Sequence, residues 1–195
     1  MRPADRLWQR DTGHIDMHKL WQDVEYDLWV SNSTLTESEV DIAIRYVSIG
    51  TGKDISTGER KKIRIAANGT TEILAGQVVK VDDPLEPGGP FRTSRADPFV
   101  IHASLYKDGH LLASDVSWPE PIKYLTFENP GVHVRYSEDK QTVFVSSAKP
   151  VKGFVFEEDT ERRLSDNGFD LVPGEMKEVH VEGLATTLRW RYVEM

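Results

Sequence analysis

From Val24 onward the apolar residues of this chain fall on every second position, and that period constrains its fold more than any other feature. Val24, Tyr26, Leu28 and Val30 share one side of an extended segment, while Glu25, Asp27, Trp29 and Ser31 take the other. Successive side chains of a strand point to opposite faces, so the alternation predicts a strand with one face in a core. Val40, Ile42, Ile44 and Tyr46 repeat the pattern, with Asp41, Ala43 and Arg45 between them. Further strands are predicted at Ile63–Ile65, across Ile73–Val81 as a pair or one long strand, at Phe99–Leu105 and at Leu111–Val116. Turn residues separate them at Gly50-Thr51-Gly52-Lys53, Asn68-Gly69 and Asp108-Gly109. Both residues of Asn-Gly tolerate positive φ, which predicts a tight hairpin at Asn68-Gly69. Residues 82–98 are rich in proline and glycine and predict a long surface loop. Helix signals are almost absent: Thr34-Leu35-Thr36-Glu37 matches a capping box, but the residues after it alternate like a strand.

Trp118-Pro119-Glu120-Pro121 marks the domain boundary, because prolines are excluded from a central ladder and stiffen a linker. Beyond it, short strands are predicted at Val132–Tyr136, Thr142–Ser147, Val151–Phe156, Gly168–Leu171, Glu178–Val181 and Leu188–Val193. Short strands at even spacing indicate a sandwich. The 195 residues accommodate two sandwiches of about 100 residues each. The expected fold class is therefore all-β: two tandem immunoglobulin-like β-sandwiches behind an irregular N-terminal lead-in. The lead-in covers 1–22, the first sandwich 23–118 and the second 119–195.

Charge and composition exclude several function classes. The net charge is −8 and the acidic residues are spread along the chain, so a phosphate backbone or an anionic membrane is repelled. No apolar run has the length of a membrane span, and the N-terminus lacks the apolar stretch of a secretory signal. The absence of cysteine fits a reducing compartment. In that setting the sequons Asn32-Ser33-Thr34 and Asn68-Gly69-Thr70 are read as chance matches.

The catalytic motifs fail one by one. Gly50-Thr51-Gly52-Lys53-Asp54 lacks the first glycine, the Ser/Thr and the helix of a phosphate loop. No Gly-x-Ser-x-Gly elbow occurs. His14 and His18 have the spacing of two ligands on a helix but no third ligand, and His102, His110, His133 and His180 are scattered, so no metal or other cofactor is expected. Glu157-Glu158-Asp159 and Glu161 read as a solvated hairpin tip rather than a glycosidase pair, since neighbours on a loop diverge. Five tryptophans remain: Trp8, Trp21, Trp29, Trp118 and Trp190. Buried tryptophans anchor cores and interfaces, and exposed ones stack on sugar rings. Trp29, on the polar side of its strand, and Trp118, at the boundary, are the candidate ligand or interface aromatics.

Several segments resemble one family. Leu7-Trp8-Gln9-Arg10-Asp11-Thr12-Gly13-His14-Ile15-Asp16, followed by Tyr26-Asp27-Leu28-Trp29-Val30-Ser31-Asn32, resembles the stretch after the catalytic barrel in fungal β-mannosidases of glycoside hydrolase family 2. Trp118-Pro119-Glu120-Pro121-Ile122-Lys123-Tyr124-Leu125 resembles the junction of that enzyme's last two domains. Lys149-Pro150-Val151-Lys152-Gly153-Phe154-Val155-Phe156 and the more specific Ser165-Asp166-Asn167-Gly168-Phe169-Asp170-Leu171-Val172-Pro173-Gly174-Glu175 resemble its C-terminal domain. The resemblance implies the last two sandwiches of a multidomain enzyme whose two catalytic glutamates lie in the barrel. No catalytic residue is carried over to this chain. It further implies a cytoplasmic protein whose partner is a catalytic barrel, on the same or a separate chain, with mannosides as the sugar class. The bottom-up reading keeps an alternative, a free-standing carbohydrate-binding or protein-interaction module. Asp and Asn also cap turns, and Pro173-Gly174 suits a type II turn, so the Ser-Asp-Asn-Gly segment has a conformational explanation as well.

Overall fold

The computed structural model describes residues 23–57, 60–80, 97–157, 162–183 and 187–194. The lead-in with His14, His18, Trp8 and Trp21, most of the 82–98 loop, and Glu158, Asp159 and Glu161 lie outside the described residues.

The chain is all-β and its strands form tandem sandwiches. In the first, β1 (Asp23–Asn32) pairs antiparallel with β5 (Gly69–Lys80) as a two-stranded sheet. Facing it is a larger sheet in the order β3 (Asp54–Thr57), β2 (Ser38–Ser48), β6 (Phe99–Lys107), β7 (His110–Ser117), with β4 (Lys61–Ile65) also paired to β2. The alternation explains the packing. Val24 and Tyr26 of β1 meet Phe99 and Ile101 of β6, with Leu28, Ile44, Tyr46 and Leu74 around them. The hydroxyls of Tyr26 and Tyr46 share a 2.7 Å hydrogen bond inside this layer.

Asn68-Gly69 is not a hairpin. β4 pairs β2 and β5 pairs β1, so the turn carries the chain from one sheet to the other. Local turn chemistry predicts a tight reversal but not which strands it joins. Asn68 does take the expected positive φ, 43°, and its N–H donates to Thr34 O at 2.8 Å. The β1–β2 crossover lies beside it and is tied down by one side chain. Asn32 Nδ2 donates to Thr36 O (3.0 Å) and Ala66 O (2.9 Å), while its Oδ1 accepts from the Thr34 N–H and hydroxyl.

The second sandwich has a four-stranded sheet ordered β11 (Arg163–Leu164), β13 (Lys177–Glu182), β9 (Thr142–Ser146), β8 (His133–Tyr136). Its other sheet is β12 (Phe169–Leu171), β10 (Val151–Phe156), β14 (Trp190–Arg191). Val143, Val145, Phe154, Phe156, Val179 and Val181 fill the space between them. With no disulfide available, Phe154 is clamped by rings: Phe169 at 5.4 Å, Trp190 at 5.5 Å and Phe156 edge-on at 5.0 Å. Strands β3 and β11 escape the sequence reading because each is too short to show a period, and the last predicted strand shrinks to Trp190–Arg191.

Candidate functional site

The described residues concentrate their buried polar chemistry at the seam between the sandwiches. β7 ends at Ser117, one turn of 3-10 helix spans Ile122–Tyr124, and β8 starts at His133. The outer face of the larger first-domain sheet meets the second domain. Register explains which residues do so: Val47 lies opposite Val100, and Arg45 opposite His102, which lies opposite Val116. β6 is consequently buried on both faces over its first four residues. Val47, Ile49 and Val100 pack with Leu125 of the linker and Val172 of the second domain, with Trp118 and Phe127 against them.

Three polar contacts surround this apolar strip. Trp118 Nε1 donates to Asp170 Oδ2 at 2.8 Å, and the Lys152 ammonium donates to the same oxygen at 2.8 Å. The Gly153 N–H occupies the other carboxylate oxygen at 2.8 Å. Arg45 Nη1 donates to Pro173 O at 2.9 Å, its guanidinium held by Asp54 on β3. The third contact joins His102 and Ser104 of β6 to Glu175: His102 Nε2 lies 3.1 Å from Glu175 Oε2, and the Ser104 hydroxyl donates to Oε1 at 2.9 Å. Burial alone would raise the Glu175 carboxyl. The hydrogen bond and charge of His102 and the hydroxyls of Ser104 and Ser114 outweigh it and hold the group below the usual range.

A Ser, His and Glu in contact invite comparison with a nucleophilic triad, and the geometry answers it. Catalysis of that kind places the imidazole between hydroxyl and carboxylate, one on each ring nitrogen. Here Ser104 Oγ (3.3 Å) and Glu175 both approach Nε2, and Nδ1 is buried without a partner. The serine proton is directed at the carboxylate, not at the imidazole. His102 and Ser104 are 1% and 3% exposed, so no substrate reaches them. The cluster is a joint. No group of three or more His, Asp or Glu placed to hold a metal occurs among the described residues.

Of the two aromatics singled out in the sequence, Trp118 lies in the seam, half-buried. Trp29 stands apart on the open face of β1, 54% exposed and opposite Glu72. The seam residues Arg45, His102, Ser104, Asp170 and Glu175 are absent from the candidates because a polar residue between apolar ones reads as solvent-facing. The one available signal was Val100 beside Phe99 and Ile101, a break in strict alternation. Beside the seam, an open cleft of about 450 Å³ runs between β7 and the 168–177 segment.

A family model described as the mannosidase Ig/CBM-like domain matches residues 24–124, and one described as an Ig-fold domain matches 127–191. Beta-mannosidase B of Aspergillus terreus is 34% identical over 176 residues, covering 87% of this chain and 20% of that protein. The Aspergillus niger protein of the same name is 36% identical, over 86% of this chain and 19% of its own length. The chain thus spans about one fifth of these relatives. Among solved structures, a beta-D-mannosidase from Dictyoglomus thermophilum superposes with a TM-score of 0.65 at 14% identity, over 89% of this chain and 21% of that one. An exo-chitosanase from Amycolatopsis orientalis superposes with 0.53 at 12% identity, over 80% and 22%. These two likenesses establish the shared fold. With the first model covering more than half of its residues, the chain belongs to the mannosidase Ig/CBM-like domain family.

Proposed function

We propose that this chain is the non-catalytic C-terminal sandwich region of a cytoplasmic β-mannosidase, and that it serves as a rigid support for a catalytic barrel carried elsewhere in that enzyme. The observation that carries the reading is the use of the Ser104, His102 and Glu175 cluster as an interdomain joint, with His102 and Ser104 buried. The two family matches in tandem, and relatives about five times longer, support it. A protein without cysteines keeps its fold in a reducing cytoplasm.

Two measurements test the reading. An antibody raised against this chain is expected to detect, in the source cells, a species several times larger than 22.1 kDa. The purified chain is expected to leave an aryl β-mannoside unhydrolysed. Turnover by the pure chain, or a species near 22.1 kDa alone, overturns the proposal.

A further inference from the structure

Two Asn-Gly pairs occur in this chain, Asn68-Gly69 and Asn167-Gly168. Such a pair holds a built-in reaction, because a glycine has no side chain to keep its backbone nitrogen from the amide carbon of the asparagine before it. The reaction needs that amide free to turn towards the nitrogen. The fold treats the two pairs in opposite ways. The Asn167 amide is half-buried, accepts from the Phe156 N–H at 2.8 Å and donates to Phe156 O at 3.0 Å. The Gly168 N–H also donates to Asn167 Oδ1 at 3.1 Å, so that nitrogen offers the amide its hydrogen and not its electron pair. Asn68 is exposed, in the left-handed region at φ 43°, and held through its backbone N–H by Thr34 O at 2.8 Å. Its side-chain amide makes no hydrogen bond to another described residue. The remaining asparagines are protected: the Asn32 amide is tied to Thr34, Thr36 and Ala66, and Asn129 precedes Pro130, which has no N–H.

We infer that Asn68 is a site of spontaneous covalent modification, at which the Gly69 nitrogen closes a succinimide ring on the Asn68 side chain and water opens the ring to isoaspartate or aspartate. In the first step the bond from Gly69 N to Asn68 Cγ forms and the Cγ–Nδ2 bond breaks. The proton lost by Gly69 N leaves with the amide nitrogen as ammonia. In the second step water adds to one of the two ring carbonyls. Opening at Cγ gives aspartate, and opening at the main-chain carbonyl routes the backbone through Cβ and gives isoaspartate. One water is consumed and one ammonia released, with no oxidant or reductant. Both products place a negative charge where the chain crosses between the sheets of the first sandwich, and isoaspartate lengthens the backbone there by one methylene. Gly69 pairs with Asn32 at the end of the β1–β5 ladder, and the Thr70 hydroxyl meets that of Ser31 at 3.0 Å on the next rung. The longer path pulls these rungs out of register, so the modified chain carries a weaker first sandwich.

Peptide mass mapping of the folded chain, aged in mildly alkaline buffer, tests it. Trypsin places Asn68 in the peptide 65–80 and Asn167 in the peptide 164–177. Conversion of amide to acid is expected to run at least about tenfold faster in the first peptide, since Asn167 reacts only after its bonds to Phe156 open. In the urea-unfolded chain the two peptides are expected to convert at similar rates. A Cβ at Gly69 meets Ala67 O at 3.5 Å and the Ala66 Cβ at 3.9 Å, both ordinary contacts. Gly69→Ala is therefore expected to slow conversion at Asn68 severalfold and to leave the far-ultraviolet circular dichroism unchanged. Equal rates at the two sites in the folded chain, or faster conversion at Asn167, overturn the inference. So does a Gly69→Ala chain that folds and converts at Asn68 as fast as the wild type.

Discussion

Gly52 sits where the β2–β3 turn meets the second sandwich. Its φ is +71°, and a Cβ there would lie 2.0 Å from the carbonyl oxygen of Ala148. That contact is between backbones, so no side chain can yield. Gly52→Ala is expected to cost more than the roughly 1–2 kcal/mol of the left-handed conformation alone, and to loosen the seam without unfolding either core. Urea unfolding followed by both far-ultraviolet circular dichroism and tryptophan fluorescence checks this, through a lower midpoint and probes that no longer coincide. Asn167 makes a second residue-scale case. Its amide accepts from the Phe156 N–H at 2.8 Å and donates to Phe156 O at 3.0 Å, pairing with a strand as another strand would. Asn167→Ala is expected to cost about 1–3 kcal/mol by leaving those groups unsatisfied, while Asn167→Asp keeps the acceptor and costs less. The sequence marks Asn167 as a turn residue and is silent on its partner, because hydrogen bonds across eleven positions depend on where the strands lie.

Among the elements, β6 links the core of the first sandwich to the seam. Its Phe99 and Ile101 face inward, while Val100, His102 and Ser104 face the second domain. The segment after β12 brings Glu175 to it, and the charge of Glu175 sets the pH response. A carboxylate whose pKa is lowered in the fold stabilises it above the unfolded value of about 4.3, and that contribution is lost as pH falls through the lower folded value. The seam is therefore expected to weaken below about pH 4.3, with the urea midpoint of the wild type dropping more steeply there than that of Glu175→Gln. Trp118→Phe keeps the ring and removes the hydrogen bond to Asp170. It is expected to cost about 1.5–3 kcal/mol, the range for bonds to a charged group, in the same urea measurement. The β6–β7 hairpin is legible from the sequence through the period of β6 and the Asp108-Gly109 turn, after which the chain returns. The partner of its outer face is not, because period two reports that a face is polar or apolar and never what lies against it.

At the scale of the whole molecule, the apolar strip of Val47, Val100, Leu125 and Val172 and the three polar contacts around it couple the sandwiches. The intact chain is expected to melt in one calorimetric transition near neutral pH. Resolution into two transitions in the wild type under those conditions would contradict the coupling. Alternation, turn chemistry and the proline-rich boundary in the sequence alone determine that this chain is of the all-β class and built as two sandwiches, because a strand's face pattern and a turn's dihedral demands are local properties of the residues. The resemblance carried by Ser165–Glu175 pointed to the family, and the tertiary structure shows what that segment does in this chain: Asn167 anchors it to β10, Asp170 holds Trp118, and Glu175 engages His102 and Ser104. Only the tertiary structure decided that Asn68-Gly69 crosses between sheets and that a Ser, His and Glu form a joint with both partners on one ring nitrogen. Each of these depends on which distant segments meet, and that choice is made by the burial of whole faces rather than by the preferences of neighbouring residues.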